Sequence, residues 1–260
     1  MTNLKELFRA LSAWDVWWAI AMDDVLARYR RTALGPLWIV LAQAAFVAGL
    51  YILHKSLFAA GGDHWRYLLY LSASMPVWSL LSSLLLDGST ALLRAKGFIE
   101  SYPLPMPIYI VRSIVASFVM FLHMLLVYVV VLLIVRPAFE PSMLLAIPGL
   151  AIVMLFGLGI TLLLAPLSAR YRDIAPALAA GMNLMFVLSP VFWTPTPEQK
   201  AQWLLQINPF YHLLEVVRTP LSGGQIEPHN WIIAGAIAVT SLVAGVIVFG
   251  RTRSTISYWI

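Results

Sequence analysis

Apolar residues recur along this chain in long unbroken runs rather than in alternation, and those runs set its outline. Six stretches read as spans: 34–53, 67–86, 106–135, 143–169, 174–193 and 231–250. Each is about 20 residues or longer, enough for a helix to cross roughly 30 Å of hydrocarbon. The short alternating segments of a membrane β-barrel are not there. The run 106–135 is long enough to tilt or to project beyond the bilayer. Ahead of the spans, residues 4–29 place Leu4, Phe8, Leu11, Trp18, Met22, Val25, Leu26 and Tyr29 on one helical stripe, with Lys5, Arg9, Asp23 and Arg31 elsewhere. Asp15 interrupts the stripe, and Trp14 and Trp18 suit the depth of a membrane interface. The pattern predicts an all-α polytopic membrane protein with an amphipathic interface helix in 1–33, a membrane domain in 34–253 and a tail in 254–260.

The junction between interface helix and first span carries its own chemistry. Arg28, Arg30 and Arg31 are placed among anionic headgroups, where each cation is worth roughly 1 kcal/mol. Leu34-Gly35-Pro36 can then turn the chain, because glycine tolerates unusual dihedrals and proline suits the first turn of a helix.

Composition sharpens the class. With 61% hydrophobic and 11% charged residues and a strongly positive mean hydropathy, the chain is no ordinary soluble domain. The net charge of +5 suggests nucleic acid only until its distribution is read. With a cytoplasmic N-terminus and six spans, the inside collects Lys5, Arg9, Arg28, Arg30, Arg31, Arg94, Lys96, Arg112, Arg170, Arg172, Arg251 and Arg253. The outside keeps Lys55, Arg66, Arg136, Lys200 and Arg218. That asymmetry places both termini in the cytoplasm. The first ten residues, with Lys5, Glu6 and Arg9, do not read as a cleavable signal peptide.

Three connections stand out. Residues 93–105 form a short mixed-charge segment closed by Pro103, Pro105 and Pro107, either a solvated connector or a short helix docking on a cytoplasmic partner. Ala169-Arg170-Tyr171-Arg172-Asp173 is a tighter charged turn on the same face. The outward stretch 194–230 holds two apolar pieces, 203–207 and 210–217, broken at Asn208-Pro209 and each too short to cross. They fit a re-entrant hairpin, favoured over an amphipathic loop lying on the membrane. Glu215 and Arg218, three apart, can pair locally.

Much chemistry is absent. No Gly-x-x-x-x-Gly-Lys-[Ser/Thr] phosphate loop occurs, so the chain is not expected to hydrolyse ATP. No His-Glu-x-x-His occurs, and His54, His64, His123, His212 and His229 are not spaced for one metal site. Without cysteine there are no disulfides or thiolate sites. Asp23-Asp24 reads as an interfacial charge pair, Arg112 as a cation snorkelling to the headgroups, and His123 as a neutral packing residue. No carboxylate lies near a span centre, so the chain has no visible energy source of its own. The aromatics, among them Trp38, Tyr67, Trp78, Phe121 and Tyr128, read as interfacial belt or packing, with a sugar-stacking conduit as the alternative.

Four stretches together resemble the membrane subunit of ABC-2 exporters, in the polysaccharide and O-antigen branch. They are Arg28-Tyr29-Arg30-Arg31-Thr32-Ala33-Leu34-Gly35-Pro36-Leu37-Trp38; Leu104-Pro105 with Tyr109 and Arg112; Arg170-Tyr171-Arg172-Asp173; and Ile207-Asn208-Pro209-Phe210-Tyr211-His212-Leu213-Leu214-Glu215-Val216-Val217-Arg218. The resemblance implies a homodimer of six-span subunits working with two copies of a separate ABC ATPase, which binds the ATP and magnesium. It makes 94–104 the coupling helix on that ATPase, with Arg94, Lys96, Phe98, Glu100 and Pro103, and Arg170, Arg172 and Asp173 as a second contact. It puts Arg28, Tyr29, Arg30, Arg31, Leu34 and Gly35 beside the cytoplasmic gate that admits the headgroup, though lipid anchoring explains the arginines equally well. Residues 196–221 become outer gate helices, with Asn208, Pro209, Tyr211, Glu215 and Arg218. The implied cargo is a glycan linked to undecaprenyl diphosphate, carried across a bacterial inner membrane. Capsule or teichoic-acid exporters and a membrane enzyme acting on lipid-linked sugars are the rival classes.

Overall fold

The computed structural model describes residues 3–30, 32–57, 63–102, 104–195 and 202–260. Its described residues form helices and connections, with no strand among them. The helices are α1 (Asn3–Ser12), α2 (Trp14–Ala27), α3 (Leu37–Leu57), α4 (His64–Ser89), α5 (Ala91–Arg94), α6 (Lys96–Ser101), α7 (Pro107–Val135), α8 (Ala146–Arg170), α9 (Ile174–Leu188), α10 (Gln202–Ile207), α11 (Pro209–Ser222) and α12 (Pro228–Ile256). A 3-10 turn, Pro141–Leu145, leads into α8. Among the described residues, five helices are long and apolar enough to cross a membrane: α3, α4, α7, α8 with its 3-10 turn, and α12.

The 174–193 stretch behaves differently from its apolar reading. Its helix stops at Leu188 after 15 residues, about 22 Å at 1.5 Å per residue. Ser189 is extended (φ −90°, ψ 143°) because the ring of Pro190 disfavours helical geometry at the residue before it. Residues 189–195 then run as bends and irregular chain along the end of α4 that carries Tyr67 and Tyr70.

The amphipathic segment is also not one helix. It breaks at Ala13 (φ −82°, ψ 55°), which has no side chain able to cap α2, and Trp17 Nε1 donates across the break to Leu11 O at 3.1 Å. Only part of the expected stripe turns inward. Ala21 and Val25 of α2 bury against Ala116 and Met120 of α7, while Trp14, Trp18 and Leu26 stay exposed. At the junction to α3, Gly35 does take the left-handed conformation (φ +54°) that a side chain would strain.

α4 is the enclosed centre of the bundle, touching α3, α7, α8, α9 and α11, with Leu71, Leu80, Leu81 and Leu84 fully buried. The tightest pairing is α8 with α12. Bilayer lipid is as apolar as leucine, so close backbone approach and van der Waals contact hold such helices together. Gly159 of α8 lies against the backbone of Ser241 and Leu242, and Gly245 of α12 lies against Gly159 O. A Cβ at either position would sit inside a neighbouring backbone atom. Gly159→Val is therefore expected to cost about 3 kcal/mol or more and to abolish the monodisperse peak in size exclusion of a fluorescently tagged chain. Gly235→Val on the same α12, where a Cβ meets nothing within 4 Å, is the control and should keep that peak.

α10 and α11 supply the broken pair expected around Asn208-Pro209. Asn208 caps α11, its Oδ1 accepting from Phe210 N at 3.0 Å, and proline follows at the first helical position, where its missing N–H costs nothing. α11 ends at Gly223 (φ +68°) and packs on α4, α8 and α12, with Leu213, Leu214, Val216 and Val217 inside. Residues 196–201 of the expected gate region lie outside the described residues.

Candidate functional site

The bundle concentrates its charge at two ends. At the end where α4 finishes, Asp87 accepts from Arg28 Nη2 at 2.9 Å and from Arg94 Nη1 at 3.1 Å. Arg94 also donates to the Asp87 carbonyl and to Ser113 Oγ, so α2, α4, α5 and α7 meet on one carboxylate residue. Partial burial pushes Arg94 down from its ordinary value, while Asp87 pulls it back up. Desolvation likewise raises Tyr29, whose hydroxyl lies 3.1 Å from Met120 Sδ.

Beside this node Arg112 makes a second bridge. Its Nε donates to Asp24 Oδ2 of α2 at 2.6 Å, and its guanidinium lies 5.0 Å from the centre of the Phe98 ring on α6. Arg112 is 5% exposed, so it turns inward to Asp24 rather than snorkelling to headgroups. Its Nη1 is buried without a hydrogen-bond partner. Arg30 pairs loosely with Asp23 at 3.7 Å, both exposed, a contact of little energetic weight. Leu34 is exposed, and Arg31 lies outside the described residues.

The expected helix over 94–104 is shorter than that. α5 ends at Arg94, α6 covers Lys96–Ser101, and Tyr102 is already extended (φ −131°, ψ 130°) because it precedes Pro103, which itself lies outside the described residues. Lys96 and Glu100 pair across one turn at 3.8 Å on the exposed face. The turn after α8 comes to the same end: Lys96 Nζ donates to Ile260 O at 2.8 Å and Arg172 Nη2 to Trp259 O at 3.2 Å. Arg170 lies between the rings of Tyr171 and Trp259, 5.2 and 5.4 Å from their centres. Asp173 starts α9 without a side-chain capping bond.

The opposite end is organised by Arg218, 2% exposed on α11. Glu215 and Arg218 do pair, and Thr219 donates to the same carboxylate. The guanidinium goes further: it donates to Tyr70 Oη and to Pro190 O, and lies over the Tyr70 ring at 4.4 Å. Tyr70 Oη donates to Trp193 O at 2.8 Å, and Tyr67 Oη to Phe192 O at 2.6 Å. Asn208 Nδ2 donates to Ser189 Oγ at 2.8 Å. α4 and α11 thus hold the 189–193 bend between them. A cavity of about 520 Å³ opens beside this cluster, lined by His54, Asp63, Arg66, Tyr70, Glu215 and Thr219 among others. Tyr211 stands against His212, ring centres 5.2 Å apart, and His212 bridges Asn230 Oδ1 at 2.8 Å and Gln206 O at 2.9 Å.

The residues that sequence reasoning passed over are Asp87, and Asp24 and Arg112 as partners. The signal was a lone carboxylate one residue beyond the 67–86 run, with arginines on both flanking segments. His123 satisfies itself on Val119 O at 2.7 Å, and Tyr67, Trp78, Phe121 and Tyr128 are packing residues rather than belt. Among the described residues, no three His, Asp or Glu side chains converge to hold a metal.

The pattern that defines the ABC-2 type transporter family matches residues 15–221. Two curated proteins of Klebsiella pneumoniae, both named O-antigen export system permease protein RfbA, are similar over almost the whole length. One is 22% identical over 254 residues, covering 96% of this chain and 95% of the relative. The other is 21% identical over 256 residues, covering 96% and 97%.

Proposed function

The chain belongs to the ABC-2 type transporter family, and from that premise we propose that it is the permease subunit of an ATP-driven exporter of a lipid-linked polysaccharide. The cargo is O-antigen on undecaprenyl diphosphate, and the direction is from cytoplasm across the inner membrane. The observation that carries this reading is likeness to permeases named for O-antigen export over at least 95% of both chains. Capsular or teichoic-acid cargo is the second reading, kept because no residue here distinguishes the glycans.

In this reading two copies of the chain work with two ABC ATPase subunits. Both termini and the Asp87 end face the cytoplasm, a sidedness supported by the contacts of Arg28, Lys96 and Arg172 at one end. α9 is the remaining crossing, fifth in chain order. It is short, with Met182 alone buried, so a second subunit fits against it and its small residues Ala177 and Gly181. α10 and α11 form the outer gate, a re-entrant hairpin whose backbone is shielded by α4, α8 and α12. ATP-driven closure of the ATPases pushes on α6. Phe98 passes the push to Arg112, and Arg112 to Asp24 on α2, beside the gate that Arg28, Tyr29 and Gly35 flank.

The test is complementation. A host lacking its own O-antigen permease, supplied with this chain, its ATPase subunit and the matching glycan assembly genes, should regain surface O-antigen. Lipid-linked glycan that stays inside despite stable expression of both subunits would refute the reading.

A further inference from the structure

The segment 257–260 does not trail away from the bundle. After α12 the chain turns back, with Tyr258 N donating to Thr255 O and Trp259 N to Ile256 O. Ile256 is fully buried, and Trp259 and Ile260 pack against the main core. Three cations hold the turn: Lys96 from α6, Arg170 from the last turn of α8 and Arg172 just after it. The two loops expected to meet a cytoplasmic partner are therefore joined to each other through this short segment.

Holding Trp259 and Ile260 inward leaves Tyr258 facing out. It is 87% exposed, the most of any large apolar or aromatic side chain among the described residues. Tyr102 and Tyr171, on the two loops the segment joins, are 58% and 52% exposed. Lipid does not explain Tyr258. α12 has 29 residues, about 43 Å of helix, against roughly 30 Å of hydrocarbon. Arg251 and Arg253 mark the headgroup layer, and Tyr258 lies five residues past the second of them. The two residues after it are held by charged side chains, Trp259 by Arg172 and Ile260 by Lys96, which also pairs with Glu100. An exposed tyrosine on a firmly anchored turn has the make-up of a binding anchor, since such residues carry a large share of the energy at protein interfaces.

We propose that residues 257–260 are a third element of the ATPase-docking face, with Tyr258 as the side chain that enters a pocket of the ATPase subunit. Lys96, Arg170 and Arg172, which hold the two residues after it, match a pocket rimmed by carboxylates. This rests on the exporter reading above.

The test uses the full chain co-expressed with its ATPase subunit. A photo-reactive benzophenone amino acid in place of Tyr258 should give an ultraviolet-dependent adduct with the ATPase subunit. Tyr258→Ala should insert and elute as wild type yet hold the subunit at least about tenfold more weakly. Adducts with lipid alone, together with unchanged retention in Tyr258→Ala, overturn the inference and leave the exporter reading standing. A wild-type chain that retains no ATPase subunit overturns both.

Discussion

Arg218→Met is expected to destabilise the folded chain by roughly 3–5 kcal/mol, the cost of removing one partner from a buried ion pair. The substitution keeps the apolar stem and removes the guanidinium, leaving Glu215, whose side chain is 11% exposed, as an uncompensated charge. It also frees Tyr70 Oη and Pro190 O, so the hold of α11 on the 189–193 bend is lost along with the pair. The measurement is the temperature at which the detergent-solubilised protein loses its monodisperse peak. Arg218→Lys should fall between, because lysine retains the charge without the planar fork that reaches three partners. Adding Glu215→Gln to Arg218→Met should recover part of the loss. A single variant as stable as wild type would mean the cluster is solvated and carries no structural weight.

The second large effect is functional. Arg112→Met should lower export by at least about tenfold while the ATPase subunit stays bound. Arg112 touches both α6, through the Phe98 ring, and α2, through Asp24. Its loss uncouples the segment that receives the push from the segment beside the gate. The stability cost is smaller than for Arg218, about 1–2 kcal/mol, because Asp24 is one-third exposed and water can replace the lost partner. Surface glycan measured beside co-purified ATPase separates the two effects. Undiminished export would remove Arg112 from the coupling route. Asp87→Asn probes the parallel bridge through Arg28 and Arg94 and should act in the same direction more weakly, since those side chains are half-exposed.

These two arginines show where reading a sequence stops. The sequence reads Arg112 as a snorkelling cation near a span end and Arg218 as a local partner of Glu215 in the broken pair. The local pair does form, because three residues along a helix always bring side chains to one face. Nothing local announces that Arg218 also reaches Tyr70, 148 residues earlier, or that Arg112 turns to Asp24, 88 residues earlier. Such contacts depend on which helices become neighbours, and apolar runs do not encode that order. The 174–193 run differs for another reason: hydropathy counted its residues, while Pro190 ended its helix at Leu188. The single amphipathic helix failed at Ala13, where the interruption by Asp15 was visible but its consequence was not.

By itself the sequence determined that this chain is helical and membrane-bound, where α3, α4, α7, α8 and α12 lie to within about six residues at either end, and that Asn208-Pro209 breaks the helix pair before the last of them. It also carried the family, through motifs spread over the whole length. Those properties follow from local quantities: run length, the cost of exposing backbone to lipid, capping and proline geometry. The tertiary structure alone decided that α4 sits at the centre, that glycines weld α8 to α12, that Asp87 and Arg112 gather the segments at one end, and that residues 257–260 fold back onto the loops beside them. Those depend on contacts between residues tens to more than a hundred positions apart, and only the packed bundle brings them within a few ångströms.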